Sequence, residues 1–310
     1  MPNGGGARLG IDEIPERVRG AIEEILGAPV VAAHSQPGGF SPGLAARLVL
    51  ADGRRAFAKA AGIDRNRDTP RFHRREVEVL AALPADLPVP ALLGSYDDGD
   101  WVALVVEDVE GEMPVEPWRP AELASVVGAM AGLADRLTPS PVARPSIATM
   151  DEHAFRGWRT MAAEPSMAAP LGPAVTARLD ALAAIEEGWT AAAEGSSLVH
   201  GDLRADNILL TPRGVVFVDW PHARIGAPWL DLLFLLPSAA VTGTDPEEVW
   251  TAYPPARAAA PDAVTAVLVA LTGFFLHQSV LPPPKNLERV REFQRAQGEA
   301  ALRWVEARLR

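Results

Sequence analysis

The apolar residues of this chain change their period once, near residue 111, and that change limits the folds open to it. Before this point, short segments alternate apolar and polar residues, which is the pattern of half-buried β-strands. After it, apolar residues mostly recur every three or four positions, as they do in amphipathic helices. Strands followed by helices predict an α+β fold built in two parts.

The first part is predicted to be an antiparallel β-sheet with one inserted helix. A helix is expected at 11–27, where an amphipathic pattern ends at a glycine, and a second one within 65–84. Turn-forming residues separate the alternating segments. These features predict about five strands, at 29–36, 43–50, 54–61, 89–99 and 101–111.

The second part is predicted to be mainly helical and to carry one hairpin. Residues 112–120 are rich in proline and indicate a linker. We therefore divide the chain into an N-lobe (1–111), a linker and a C-lobe (121–310), with a hairpin made by 207–210 and 215–219. The helices are predicted at 121–137, 151–163, 173–193, 228–237, 246–252, 261–281 and 285–309.

Composition excludes several classes of function. The net charge of −11 and the lack of a basic stripe argue against a nucleic-acid partner, whereas an acidic surface would attract cationic small molecules. The chain has no cysteine, so disulfides and thiol nucleophiles are excluded. The N-terminus has no apolar signal segment, and the most apolar stretch, 263–276, is too short to span a bilayer. We expect a cytoplasmic protein without a membrane segment, in which this stretch is a core helix.

The stretch HGDLRADN, 200–207, gathers polar side chains between apolar runs. A hairpin after it would return Asp219 to the side of Asn207, so that oxygen-bearing side chains meet at one end. Mg²⁺ prefers a few such ligands, with other positions left for water and phosphate, and Asp202 could then face an acceptor hydroxyl. Each residue alone could instead cap a turn or close an Asx turn. Their joint spacing favours the metal site.

HGDLRADN with the following VDW resembles the aminoglycoside phosphotransferase family, also called the phosphotransferase enzyme family, which is related to choline kinases. The resemblance covers about 29–236. It implies a protein-kinase-like bilobal fold, with a β-sheet N-lobe and a helical C-lobe that carries a catalytic hairpin. It also implies that ATP and Mg²⁺ are cofactors and that a small-molecule hydroxyl accepts the phosphoryl group.

The resemblance assigns roles within the motif. Asp202 matches the catalytic residue that hydrogen-bonds the acceptor hydroxyl, and Asn207 and Asp219 match the Mg²⁺ ligands. Arg204 stands where protein kinases usually have a lysine near the γ-phosphate, so we predict a phosphate contact; the alternative is a surface arginine. Two further matches, His200 and Asp231, are expected to be structural.

Lys59 is one of only two lysines and lies on the third predicted strand, where the family has its phosphate-binding lysine. A lysine on a buried strand face needs a carboxylate partner. Glu76 matches the family's helix glutamate. Glu78 lies about 200° further around the helix, so only one of the two can face Lys59. The alternative is an exposed lysine on an edge strand.

Two further segments are expected to contact the nucleotide. The turn GGFSPG joins the first two predicted strands, and its Gly38, Gly39, Phe40 and Ser41 are candidates for covering the phosphates. A tight hairpin turn would use similar residues. The resemblance places the adenine-binding hinge at Glu107, Asp108 and Val109, where backbone groups make the contacts.

The resemblance also restricts the acceptor. Asp219 is followed by only WPHARIGAPW before the next predicted helix, which leaves no platform for a protein substrate. An aminoglycoside or another antibiotic fits the family and the acidic charge. A metabolite such as choline or a sugar, or a nucleotide-binding regulator without turnover, remains an alternative. Pro221 and His222 depart from the family, which often has an acidic residue there. The candidate acceptor carboxylates are Asp151, Glu152, Glu288 and Glu292.

Overall fold

The computed structural model describes residues 8–36, 42–150, 154–284 and 289–310. It confirms the predicted α+β fold. The chain forms two compact units. The first contains the described residues up to Pro114 together with Ala205–Ala223, and the second contains Val115–Arg204 and the described residues of Arg224–Arg310.

The first unit contains a six-stranded sheet in its described residues. The five predicted strands are present and pair antiparallel. A sixth strand was not predicted, because its two residues are too few to show a period; it pairs parallel to the start of β3. The strands are β1 Arg8–Leu9, β2 Val30–Ser35, β3 Gly43–Leu50, β4 Arg55–Gly62, β5 Leu92–Asp97 and β6 Trp101–Glu107.

Two helices pack on this sheet. Helix α1, Glu16–Leu26, begins after Pro15 and ends at Gly27, which has a φ of 67° and so takes the left-handed conformation that glycine favours. It is shorter than the predicted 11–27, because residues 11–13 form a separate 3₁₀ turn. Helix α2, Asp68–Ala82, packs against β4 and β6 and presents its buried face to them.

Four short strands form two further pairs: β7 Ser197–Val199, β8 Ile208–Thr211, β9 Gly214–Phe217 and β10 Arg224–Gly226. The predicted hairpin is β8–β9, and it clusters with the first unit rather than with the helical part where we had placed it. The reason is backbone pairing: Leu210 exchanges two hydrogen bonds with Glu112, at 2.7 and 3.0 Å, and the Phe217 N–H donates to the Pro88 carbonyl. Strands β7 and β10 pair in the second unit.

The second unit is helical, as predicted. The predicted helix 173–193 is broken into three, one break falling at Gly188, a poor helix former. Residues 138–149, predicted as a loop, include the start of a short helix. The helices are α3 Pro120–Arg136, α4 Ile147–Met150, α5 Gly157–Ala163, α6 Pro173–Thr176, α7 Leu179–Glu186, α8 Trp189–Ala192, α9 Leu230–Val241, α10 Pro246–Ala252, α11 Pro261–Val280 and α12 Val290–Arg308.

Helix α11 extends the most apolar stretch of the sequence to 20 residues, so by length and composition it could cross a membrane. Its most apolar window is 61% buried within the protein. It packs against α5, α7, α8 and α12 of the same unit. Burial of this kind is typical of a core helix, as the sequence predicted.

Candidate active site

Lys59 lies at the centre of a charged cluster in the first unit. Its Nζ donates to both carboxylate oxygens of Glu76, at 2.9 and 2.8 Å, and to Oδ1 of Asp219 at 2.6 Å. The predicted Lys59–Glu76 pair is therefore confirmed, and Glu78 is exposed. Strand β4 supplies the lysine, α2 supplies the glutamate, and the residue two positions after β9 is the aspartate.

The charges of this cluster depend on one another. Burial alone would lower the pKa of Lys59, but the nearby carboxylates of Asp219 and Glu76 outweigh burial, so its pKa is raised. Burial also raises the pKa of Glu76, and the charge of Lys59 opposes that effect. Lys59 therefore stays protonated at neutral pH and stabilises two carboxylates.

Asp219 has an unusual backbone. Its φ of 70° makes it the only non-glycine residue with a positive φ among those the structure describes. This conformation costs roughly 1–3 kcal/mol and often marks a functional position. Its neighbours hold it in place: the Val218 N–H donates to the Asn207 carbonyl at 3.0 Å, and the backbone of Trp220 bonds Glu76. The hairpin thus brings Asn207 and the segment around Asp219 together, as predicted.

The side chains of Asn207 and Asp219 carry oxygen donors, which hard cations such as Mg²⁺ prefer. Asn207 is buried, and 42% of the Asp219 side chain is exposed. Of these two residues, Asp219 therefore has the carboxylate that a metal ion could reach from solvent. The described residues contain no group of three His, Cys, Asp or Glu side chains that could hold a metal by themselves. Few protein ligands, with the rest supplied by water and phosphate, are what Mg²⁺ accepts; a structural zinc site would need four.

Sequence reasoning missed two basic residues near this cluster. His73 lies one helical turn before Glu76 and is buried; burial and the charge of Lys59 lower its pKa to about 3, so it is neutral. Its i, i+3 spacing from Glu76 could have revealed it. Arg8 on β1 is half-buried; burial lowers its pKa, and the charge of Asp219 opposes that shift. Arg8 could not be predicted, because the two residues of β1 are too few to show an alternating apolar pattern.

In the second unit, Asp231 at the start of α9 anchors the HGD loop. Its two carboxylate oxygens accept from the backbone N–H groups of His200, at 2.8 Å, and Gly201, at 2.9 Å. The buried His200 ring accepts from the Asp202 N–H through Nδ1, at 3.3 Å. The structural roles expected of Asp231 and His200 are therefore confirmed, and they fix the backbone from which the Asp202 side chain projects.

Arg204 and Asp202 are close in this loop. Arg204 Nη2 is 3.7 Å from Asp202 Oδ2, and about one third of each side chain is exposed. At this distance the arginine can balance the charge of the carboxylate without fixing it in one position. The phosphate contact predicted for Arg204 stays a prediction.

The buried position of Asp231 leads to a test by pH. Burial, with the charge of Asp202, raises its pKa to about 6 from an ordinary value of 3.8. The folded protein therefore binds this proton more tightly than the unfolded chain, so this group favours folding more as the pH falls from about 6 to about 4. We expect the free energy of unfolding of the native chain, relative to Asp231→Asn, to rise by at most roughly 3 kcal/mol over that window. Urea titrations of both proteins at several pH values measure it; a difference independent of pH would contradict the assignment.

The predicted hinge has a definite structure. The Asp108 carboxylate is buried and lies 2.8 Å from Arg55 Nε and 3.4 Å from Arg47 Nε, and Arg47 also donates to the Val109 carbonyl at 3.1 Å. The exposed Glu107 side chain approaches Arg213 at 3.8 Å. The side chain of Asp108 therefore stabilises the sheet, and nucleotide contact by the backbone of this segment stays a prediction.

Other predicted positions have mixed outcomes. His222, one of the two departures from the family, packs its ring on Phe72 of α2 at 5.1 Å. Glu292 is exposed and 3.5 Å from Arg289. The remaining candidates lie outside the described residues: Gly38, Gly39, Phe40 and Ser41 for the nucleotide, and Asp151, Glu152 and Glu288 for the acceptor.

Comparison with known proteins gives a consistent result. The sequence model of the phosphotransferase enzyme family matches residues 39–249. No curated protein matches the chain. Among solved structures, an aminoglycoside phosphotransferase from Alicyclobacillus acidocaldarius is similar, with 16% identity, 95% of each chain covered and a TM-score of 0.62.

Two other solved structures share the fold. An amicoumacin kinase in complex with AMP-PNP, Ca²⁺ and its ligand has 12% identity, 94% of each chain covered and a TM-score of 0.56. A proposed fructosamine-3-kinase from Haemophilus somnus has 13% identity, 94% of this chain and 97% of that chain covered, and a TM-score of 0.55. These similarities confirm the predicted protein-kinase-like fold.

Proposed function

Because this chain belongs to the phosphotransferase enzyme family and is a small-molecule kinase, we propose that it transfers the γ-phosphoryl group of ATP to an acceptor hydroxyl with the help of Mg²⁺. The observation that carries this proposal is the contact of Lys59 with both Glu76 and Asp219. It joins a cation suited to phosphate with a carboxylate suited to a metal ion.

The first unit contains the residues proposed for nucleotide binding. Lys59, held by Glu76, binds the α- and β-phosphates, since a lysine with a raised pKa stays cationic beside them. Asn207 and Asp219 would hold Mg²⁺, which supplies neutralisation of phosphate charge when bound. The contact between Lys59 and Asp219 places a positive charge beside that carboxylate before nucleotide binds.

The second unit contains the residue proposed to act on the acceptor. Asp202 accepts a hydrogen bond from the acceptor hydroxyl and orients its oxygen toward the γ-phosphorus. Its backbone is fixed through His200 and Asp231, so the carboxylate needs little rearrangement. Arg204 contacts phosphate. Most of the rate gain then comes from positioning and electrostatic stabilisation, because phosphoryl transfer requires little covalent help from the protein.

An antibiotic is the first acceptor class to test. The similar structures include an aminoglycoside phosphotransferase and an amicoumacin kinase, the latter with a bound ATP analogue. A metabolite kinase acting on choline or a sugar is the alternative, and a cytoplasmic location belongs to the same proposal. A regulator without turnover is disfavoured, because such chains usually lose the lysine, the catalytic aspartate or a metal ligand, and all are present here.

The test measures the release of ADP from ATP by a coupled assay, with and without candidate acceptors. We expect ADP release to rise with an acceptor present in a panel of hydroxylated antibiotics, choline and ribose, and to fall to background when EDTA removes the metal. The variant Asp97→Asn removes a carboxylate that pairs with Arg74 in the first unit, away from the proposed metal ligands, and it should release ADP as the native chain does. ADP release that EDTA leaves unchanged would contradict the metal-dependent mechanism.

A further inference from the structure

The second unit contains a group of aromatic side chains that the proposed mechanism does not use. Phe155 lies with its ring centroid 5.9 Å from Phe234 and 5.8 Å from Phe274, and its other side meets Trp189 at 5.0 Å. We call Phe155, Phe234 and Phe274 the aromatic wall. Phe155 is buried, whereas Phe234 and Phe274 are only partly covered, so part of the wall is accessible.

The aromatic wall is tied to the catalytic loop through α9. Asp231 on this helix holds the backbone of His200 and Gly201, next to Asp202. Phe234 follows Asp231 by three residues, which places it about 4.5 Å further along the helix axis and about 60° around it. An acceptor whose hydroxyl meets Asp202 is therefore within molecular reach of Phe234.

Four described carboxylates of α7 and α12 are paired with arginines, while Asp151, Glu152 and Glu288 lie outside the described residues. Glu186, which is fully buried, accepts from the backbone N–H groups of Trp158 and Arg159, each at 3.0 Å, and lies 3.2 Å from the Arg159 guanidinium. On α12, each of Glu292, Glu299 and Glu306 lies within 3.5 Å of an arginine.

One cation, Arg291, lies beside α11 near the wall. His277 lies one turn after Phe274 on α11, and Arg291 is close enough that its charge, added to burial, lowers the pKa of His277. Arg291 also donates to Gln278 at 2.9 Å, which keeps its charge beside α11. A polycationic sugar would meet the charge of Arg291, and the three carboxylates of α12 each already lie near an arginine.

We infer that the acceptor carries a neutral aromatic ring, which packs on Phe234 and Phe274 while its hydroxyl meets Asp202. This inference rests on the proposed phosphoryl transfer and narrows its substrate class. Stacked or edge-to-face ring contacts favour such a compound. The net acidic charge of the whole chain does not decide the acceptor, because charges that touch the ligand act more strongly than distant screened ones.

The experiment compares aromatic with polycationic acceptors. Chloramphenicol, uridine and 7-hydroxymethylcoumarin are the aromatic probes, and kanamycin is the polycation; binding is measured by calorimetry and turnover by ADP release. We expect at least one aromatic probe to bind and be phosphorylated. Phe234→Leu should raise KM for that probe by roughly three- to tenfold while KM for ATP stays unchanged. Phe293→Leu is the matched control, because Phe293 is a partly covered phenylalanine on α12.

The outcomes separate this inference from the proposed function. Phosphorylation of kanamycin with the same KM in the native chain and Phe234→Leu would overturn the inference and leave the phosphotransferase proposal intact. Failure of every aromatic probe to bind or be phosphorylated would also overturn it. Failure of ATP itself to bind would instead count against the proposed function.

Discussion

Asp202→Ala should lower kcat by roughly 10²- to 10⁴-fold while ATP still binds with its native affinity. The reason is that the carboxylate is held on a loop fixed by two Asp231 hydrogen bonds, so it is positioned before the acceptor arrives. Removing it takes away the group that orients the hydroxyl. Lys59 and the two proposed Mg²⁺ ligands belong to the first unit and keep their own contacts, whereas Arg204, the other proposed phosphate contact, lies beside Asp202 in the second unit.

The measurement needs both single-turnover kinetics and nucleotide binding, so that loss of chemistry is separated from loss of ATP. Asp180→Ala is a suitable control, because Asp180 is an exposed carboxylate on α7 of the same unit. The loop should keep its structure in the Asp202 variant, since Asp231 still accepts from the backbone N–H groups of His200 and Gly201. Turnover close to that of the native enzyme would overturn the catalytic assignment.

Part of this site could be predicted because local physics determines it. A lysine on a buried strand needs a carboxylate, and helix geometry allowed only one of Glu76 and Glu78 to supply it. A four-residue turn between two apolar segments set the hairpin, and the hairpin determined that Asn207 and Asp219 return to one end. Each of these predictions depended on residues close in sequence or on one strong energetic requirement.

Other features could not be predicted, because they depend on contacts between distant segments. The membership of the β8–β9 hairpin in the first unit depends on backbone pairing with Glu112 and Pro88. Asp219 has a positive φ in a segment that contacts Asn207, Lys59 and Glu76. The residue type at this position does not by itself predict that conformation. Arg8 reaches the cluster from a strand that is too short to show a pattern.

The acceptor is the clearest example of this limit. The HGDLRADN motif predicts phosphoryl transfer and gives no information on the molecule that carries the hydroxyl. The aromatic wall assembles Phe155, Phe234 and Phe274 from three separate parts of the chain, and each alone reads as an ordinary core residue. Only their contacts with one another support the chemical character that we infer for the acceptor.

Asp219→Asn should remove most of the gain in nucleotide affinity that Mg²⁺ provides, which we expect to be at least about tenfold. Asparagine is chosen over alanine because it tolerates the left-handed backbone found at Asp219, so the change tests charge and metal binding rather than strain. Lys59 keeps both of its bonds to Glu76, and the first unit should therefore remain folded.

Calorimetric titration of an ATP analogue, with Mg²⁺ and again with EDTA, separates the two contributions to affinity. In EDTA the variant should bind as well as the native chain or better, because a negative charge near the phosphates is gone. With Mg²⁺ it should bind much more weakly than the native chain. Asp97→Asn, which breaks the ion pair with Arg74 in the same unit, should behave like the native chain in both titrations. Equal loss of affinity with and without Mg²⁺ would show that Asp219 acts through Lys59 and the fold, and not as a metal ligand.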